Sequence, residues 1–384
     1  MDFFGSPLSH RPLRHVLFIA EGQLGDLLLL TPALRSVKES FPGSRTAVLV
    51  LQRRRYDAEI APQEAPGVLT APAGGTSVVL LNDPHVDEVM EIDRSALRRL
   101  KGIPRLKAEF AIVAWLRRER FDTVVCTFPQ ERFFQWAFLS GARIRAGEEG
   151  RNLSFLLNRR IRQTKGDKGV LRYYCALAEA VGAKTEGCKE THFVLSPGTE
   201  KWAEEELARR GISAAQHPVA VHPGASGPYR IWPPEHFCEV IARLRFRGRP
   251  VFLCGSDFDR GAIEAVRRCS SSDIPAIITA GGVSYLAALF SKSSLLLCND
   301  SGPRHLAAAV GTPTLAVMPR FGDRAWKIYN DESRHAAVQS PDACPACGSD
   351  ECRNVIPDGA EFGSSCLHAV TPDQVIRRLD LLLL

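Results

Sequence analysis

The run Asn299-Asp300-Ser301-Gly302-Pro303-Arg304-His305-Leu306-Ala307-Ala308-Ala309 comes after a short apolar stretch at residues 295–298. The apolar stretch has the make-up of a buried strand, and the run itself reads as the start of a helix. Asp300 and Ser301 can serve as N-cap, Pro303 suits the first turn, and the alanines favour continuation. Gly302 lets the backbone come close to a ligand. A helix start of this kind aims free N–H groups and a positive dipole end at one spot, which suits a phosphate. His305, one turn in, can add a donor. Without a ligand, the same segment is an ordinary strand-to-helix junction with a good cap.

Two further segments have the same layout. Glu21-Gly22-Gln23-Leu24-Gly25-Asp26 comes directly after strand-like residues 15–20 and runs into a helix containing Thr31-Pro32-Ala33-Leu34. His222-Pro223-Gly224-Ala225-Ser226-Gly227-Pro228-Tyr229-Arg230-Ile231-Trp232-Pro233-Pro234 comes after strand-like residues 219–221. On the residues alone, Asp26 is as well suited to capping the helix that begins there as to accepting a proton.

These segments need a scaffold of strands and helices. In the N-terminal half, strands are expected at 16–20, 46–51, 78–81, 123–126 and 144–147, with helices at 26–39, 104–120, 131–140 and 171–181. Pro32 lies deep enough in the first helix to predict a kink or break there. Residues 53–76, with several prolines and Gly74-Gly75, read as a loop or insertion. A short strand at 192–195 and a charged helix at 199–211 form the crossing segment. Further strands are expected at 219–222, 250–254, 277–279, 295–298 and 314–318, then a last helix from Thr371 towards Leu384. Such alternation predicts an α/β protein of parallel sheets covered on both faces. A chain of 384 residues is long enough for two cores. Two Rossmann-like domains facing a central cleft are expected, over 1–190 and 191–384.

Together, the three chemistry-bearing segments resemble glycosyltransferase family 9, which contains the lipopolysaccharide heptosyltransferases. The shared pattern is a loop ending in Gly25-Asp26 before a Thr-Pro-Ala-Leu helix, then His-Pro-Gly-Ala-Ser with a basic residue before Trp-Pro, then Asn-Asp-Ser-Gly-Pro-x-His-Leu-Ala-Ala. The resemblance runs from about residue 14 to the C-terminus. It implies a GT-B arrangement whose last helix packs back on the first domain, and an inverting transfer from a nucleotide-sugar without a catalytic metal. Heptose from ADP-heptose, moved to a lipopolysaccharide core or another glycan, is the leading expectation. The alternatives are another nucleotide-sugar or acceptor, a nucleotide-sugar epimerase, or a non-catalytic nucleotide- or glycan-binding protein.

By this resemblance Asp26 is the catalytic base. The donor would be held by Gly224, Ser226, Arg230, Asp300, Ser301, Gly302 and His305, with Arg230 standing where the family more often has Lys. Gly255-Ser256-Asp257 resembles the family's Gly-Gly-Pro-Asp segment, so Asp257 or Asp259 would take the ribose hydroxyls and the base would stack near Gly282 and Val283. His222 and Trp232 read as structural. Two departures lie on the acceptor side. Ala20 and Glu21 stand where Arg or Lys is usual, and Cys126-Thr127-Phe128-Pro129-Gln130-Glu131-Arg132 replaces an Asp-Leu-x-Gly-like run.

The charge is uneven. Residues 1–190 hold 29 Lys and Arg against 22 Asp and Glu, whereas 191–384 hold 20 against 21. The excess is densest from Arg94 to Arg120, where Ile103, Leu106, Phe110, Ile112, Val113, Trp115 and Leu116 are interleaved. Such a segment suits an anionic membrane surface, a phosphorylated acceptor, or a solvated helix with its apolar side in the core. No nucleic-acid motif is present. No run is apolar enough to span a membrane, and the first residues lack a signal peptide's apolar core. A cytoplasmic protein, able to make peripheral contact with the inner face of the membrane, is expected. Seven of the eleven cysteines, Cys126, Cys175, Cys188, Cys238, Cys254, Cys269 and Cys298, read as reduced thiols. Cys344, Cys347, Cys352 and Cys366 have the ligand number of a structural zinc site.

Overall fold

The computed structural model describes residues 12–52, 69–71, 75–150, 152–162, 169–186, 190–270, 273–279, 282–319, 333–339 and 356–383. The chain divides into two compact units, Met1–Thr191 and His192–Leu384.

The first unit is built on β1 (His15–Glu21), β2 (Arg45–Gln52), β3 (Leu69–Thr70), β4 (Glu88–Asp93), β5 (Thr123–Cys126), β6 (Ile144–Glu148) and β7 (Arg159–Ile161). Their order in the sheet is β3-β4-β2-β1-β5-β6-β7, parallel except for the short β3. β1 lies between β2 and β5, Phe18 registering with Val48 on one side and Val125 on the other. Strands covered on both faces read as unbroken apolar runs, and Val16 to Ile19 are wholly inaccessible. Helices α1 (Leu24–Ser40), α2 (Val78–Leu81), α3 (Arg94–Arg99), α4 (Gly102–Glu119), α5 (Glu131–Leu139) and α6 (Val170–Ala180) complete the unit.

The second unit repeats the plan. It contains β8 (Val219–His222), β9 (Val251–Gly255), β10 (Ala276–Ile278), β11 (Leu295–Asn299), β12 (Thr314–Met318) and β13 (His335–Gln339), in the order β10-β9-β8-β11-β12-β13, all parallel. Its helices are α7 (Pro197–Ala208), α8 (Pro234–Phe246), α9 (Arg260–Cys269), α10 (Val283–Ser291), α11 (Gly302–Ala309), α12 (Ser365–His368) and α13 (Pro372–Leu382). Thr371 and Gln374 close a capping box at α13, whose Val375, Ile376 and Leu379 join the core of this same unit.

Several expectations change. Helix α1 runs through Pro32 without a break. Proline has no N–H for the Leu28 carbonyl, but the Thr31 hydroxyl donates to that oxygen at 2.7 Å and so offsets the loss. Residues 78–81 form the helix α2 rather than a strand, because a short apolar run does not specify its own period. The strand is instead β4, disguised by acids. Its Glu91 is buried and accepts a hydrogen bond from Ser77. Residues 192–195 have no regular secondary structure and pair with no strand among the described residues, and the Phe193 N–H is satisfied by the Ala309 carbonyl at 3.0 Å. Cys238 and Cys269 form a disulfide joining the packed helices α8 and α9, and Cys175 on α6 is likewise disulfide-bonded, rather than free thiols. Cys126, Cys254 and Cys298 are buried free thiols whose pKa values burial pushes up, Cys298 to about 12. Cys344, Cys347 and Cys352 lie outside the described residues. Cys366 is buried on α12, its sulfur 3.2 Å from the Ser364 hydroxyl.

Candidate active site

In both units the first strand is central. Successive strands add on one side, then the chain crosses back to add strands on the other. Ligands of such sheets bind beyond the carboxyl ends of the strands at the point of reversal. In the second unit that point lies between β8 and β11, and the loops leaving them are residues 223–233 and 300–301.

Asn299 ties these loops together. It is fully buried, its amide donates to the Pro223 carbonyl at 2.7 Å, and its oxygen accepts the Trp232 N–H at 2.9 Å. Trp232 is itself inaccessible and donates from its indole to the Val370 carbonyl, as its structural reading requires. Arg230 reaches across the junction to Asp300, Nη2 to Oδ2 at 3.1 Å, with about a third of its side chain exposed. Ser301 is the N-cap of α11, but its side chain makes no capping bond and Pro303 sits in the first turn. The start of α11 is therefore not closed by its own cap residue. His305 is buried, and desolvation, with Arg304 and His335 nearby, lowers its pKa to about 3. It is a neutral imidazole at physiological pH rather than a cationic clamp. Arg304 is also buried, 3.2 Å from the Met318 sulfur.

Packing separates Asp259 from Asp257. Asp259 lies against Gly224 and Gly255 so closely that a Cβ on Gly224 would stand 1.9 Å from its Oδ1. It accepts from the Ser256 N–H at 2.8 Å and hydroxyl at 2.7 Å, and lies 3.4 Å from buried His222. Burial alone would raise its pKa, but His222 and Ser256 outweigh that and hold it at about 2. Asp259 thus braces the loop, and His222 has the structural role its position suggested. Asp257 is exposed and pairs with Arg260 at 2.5 Å. Ser226 is exposed on the loop after β8, and half-buried Val283 comes after Gly282 at the entrance to α10.

In the first unit the reversal lies between β1 and β5. Gly22 passes so near β2 that a Cβ there would stand 2.8 Å from the Leu51 carbonyl oxygen. Gln23 is the N-cap of α1, so Asp26 is not the cap residue itself but lies inside the first turn. Asp26 is buried, and Tyr174 of α6 donates to its Oδ1 at 2.8 Å. Desolvation, then Asp26, pushes the Tyr174 pKa well up, so the phenol stays a donor. Glu21, where the family usually has a cation, is itself paired with one: Arg94 Nη1 lies 2.8 and 2.7 Å from its two oxygens. Gln130 donates to the same carboxylate. The motifs did not reveal Tyr174, Arg94, Gln130 or the bracing role of Asn299. A tyrosine in an apolar helix and an amide closing an apolar strand were the available signals, since buried polar groups require partners.

Residues 111–354 match the model of glycosyltransferase family 9 (heptosyltransferase). The chain belongs to this family. It is 24% identical over 316 residues to a lipopolysaccharide heptosyltransferase 3 of Escherichia coli, covering 80% of this chain and 84% of that protein. Among solved structures, a family 9 glycosyl transferase from Veillonella parvula shares the fold with a TM-score of 0.73 at 18% identity, covering 97% and 98% of the two chains. The E. coli heptosyltransferase WaaC, solved with ADP-2-deoxy-2-fluoro heptose, gives 0.67 at 15% identity, over 95% and 99%. This family 9 protein is therefore a glycosyltransferase of α/β, GT-B-like fold, built from two Rossmann-like units.

Proposed function

We propose that this glycosyltransferase moves a sugar with inversion and without a catalytic metal, from a nucleotide-sugar held by the second unit to an acceptor held by the first. Heptose from ADP-heptose and a lipopolysaccharide-core acceptor are the assigned pair, supported by the names of the relatives and by the ADP-heptose analogue bound to WaaC. The reading rests on one observation above all: the buried carboxylate Asp26 lies at the strand reversal of the first unit, already oriented by Tyr174.

In this scheme Asp26 takes the proton of the acceptor hydroxyl as its oxygen attacks the anomeric carbon. The bond from that carbon to the diphosphate breaks, and its electron pair leaves with the nucleoside diphosphate. The N–H groups at Ser301 and Gly302, the dipole of α11 and the Arg230 guanidinium meet the growing charge. Asp300 fixes the direction of Arg230. Gly224 admits the loop backbone, Ser226 adds a hydroxyl, Asp257 takes the ribose and Val283 borders the base. His305 serves as a neutral group beneath the helix start. The first unit clusters Arg94, Arg98, Arg105 and Arg132, and an anionic acceptor would compete with Glu21 for the first and with Glu109 for the last two. An acceptor of this class is lipid-linked, so the enzyme would work at the inner face of the membrane.

The test is a melting-temperature screen with ADP, GDP, UDP and CDP in EDTA, then transfer from the matching donor. ADP should stabilise the protein by about 3 kcal/mol at a hundredfold excess over its Kd. Stabilisation only with added Mg²⁺ would overturn the metal-independent reading. Binding without any transfer to heptose-accepting glycans would favour a non-catalytic binder.

A further inference from the structure

The composition of the basic helix α4 suits either an apolar side turned into the core or a face laid against an anionic partner. Only its C-terminal half does the first: Ile112, Trp115 and Leu116 are buried. Its N-terminal half exposes Ile103 by 69%, Leu106 by 69% and Phe110 by 75%. At positions i, i+3 and i+7 these share one helical face, and Ala114, also exposed, continues it. They form an apolar stripe left uncovered on the surface.

Cations dominate the surroundings of the stripe. Arg98, Arg99, Lys101, Lys107, Arg117 and Arg118 are exposed at its ends and flanks. Helix α4 carries two carboxylates: Glu119 at its C-terminal end pairs with Arg118 at 3.2 Å, and Glu109 is engaged on the side of α5. Glu109 accepts from the Trp136 indole at 2.9 Å and from Arg105 at 3.2 Å, and lies 3.4 Å from Arg132. It is thus committed to holding α4 against α5.

We propose that the N-terminal half of α4 docks on an anionic lipid bilayer, Ile103, Leu106 and Phe110 entering the headgroup boundary while the flanking Lys and Arg meet lipid phosphates. An apolar face bordered by cations is what an interfacial helix needs, and cations near an anionic leaflet add attraction. A second copy of the chain fits less well. Three side chains fall well short of the roughly 800 Å² per partner of a stable interface, and two such faces would bring like charges together. The surface stands on its own exposure and charge, so it does not depend on the assigned sugar or acceptor.

The full chain is centrifuged with vesicles of phosphatidylcholine alone and with phosphatidylglycerol added. It should sediment with the anionic vesicles at low salt, remain in solution with the neutral ones, and lose most of its binding in high salt. The double change Leu106→Ser with Phe110→Ser should weaken vesicle binding by about tenfold or more while leaving melting temperature and ADP stabilisation unaltered. Phe110→Trp provides a second reading, its emission shifting to the blue with anionic vesicles only. Failure to bind anionic vesicles overturns the proposal, as does a double variant that binds like wild type or a tryptophan whose emission does not move. A concentration-dependent dimer abolished by the double change would assign the stripe to self-association instead. In each case the ADP measurement still reports separately on the donor site.

Discussion

The two units use one strand plan for different work. Each places a loop and a helix start where its strand order reverses. In the second unit that place is made of backbone and of charges already balanced: an N-terminus with no side-chain cap, an Arg230–Asp300 pair, and Asp259 locked beneath the loop. In the first unit it is made of side chains from distant segments, Asp26 with Tyr174 and Glu21 with Arg94 and Gln130. The scaffold sets where chemistry can occur, and the loops decide which chemistry. One edge suits an anion and the other a proton.

The sharpest way to break this comparison is Asp26→Asn. It should lower kcat by about 10² to 10⁴ and leave the donor Kd unchanged, both measured on one preparation. If donor affinity falls in step with turnover, the division of labour between the units is wrong. Tyr174→Phe tests the same edge one layer deeper. Removing a donor from a buried carboxylate should cost roughly 1.5–3 kcal/mol in denaturant unfolding and slow transfer, again with donor affinity intact. A loss of stability without slower transfer would make Tyr174 a packing residue only.

Asp259→Asn probes the brace of the second unit and should cost roughly 1–3 kcal/mol at neutral pH. Because the folded-state pKa of Asp259 is depressed to about 2, its contribution is complete above the unfolded value of about 4 and fades as pH falls towards 2. Urea titrations of both proteins across that range should therefore converge at the acid end. A difference independent of pH would assign the loss to packing. The smallest effect is expected from Arg230→Lys, which keeps a cation but loses the fork towards Asp300. Nucleotide Kd should rise only a few-fold, about 1 kcal/mol or less, and Arg230→Ala should exceed it. Equal effects would show that the fork, not the charge, matters there.

The two edges also differ in how far they can be read from residues in order. The elements of the proposed donor side are contiguous. A strand, a tight loop and a helix start within a few residues dictate their own local geometry, so residues 295–309 and 219–234 already imply the strand-to-helix junctions that the structure shows. The alternating pattern likewise implied parallel sheets, since runs such as Leu295 to Cys298 tolerate no solvent on either face. Long-range packing decided what remained. Tyr174 meets Asp26 across 148 positions only because α6 lies on α1. Asp259 rather than Asp257 became the brace because it alone fills the space that Gly224 and Gly255 leave open. Acids hid β4, since pairing with a neighbouring strand outweighs the polarity of a buried Glu91. The composition of α4 could not tell its covered half from its bare one. The sequence by itself determined most of the elements and which residues their loops carry, because both are local. Tertiary structure decided which side chains meet, because that depends on which faces the core covers.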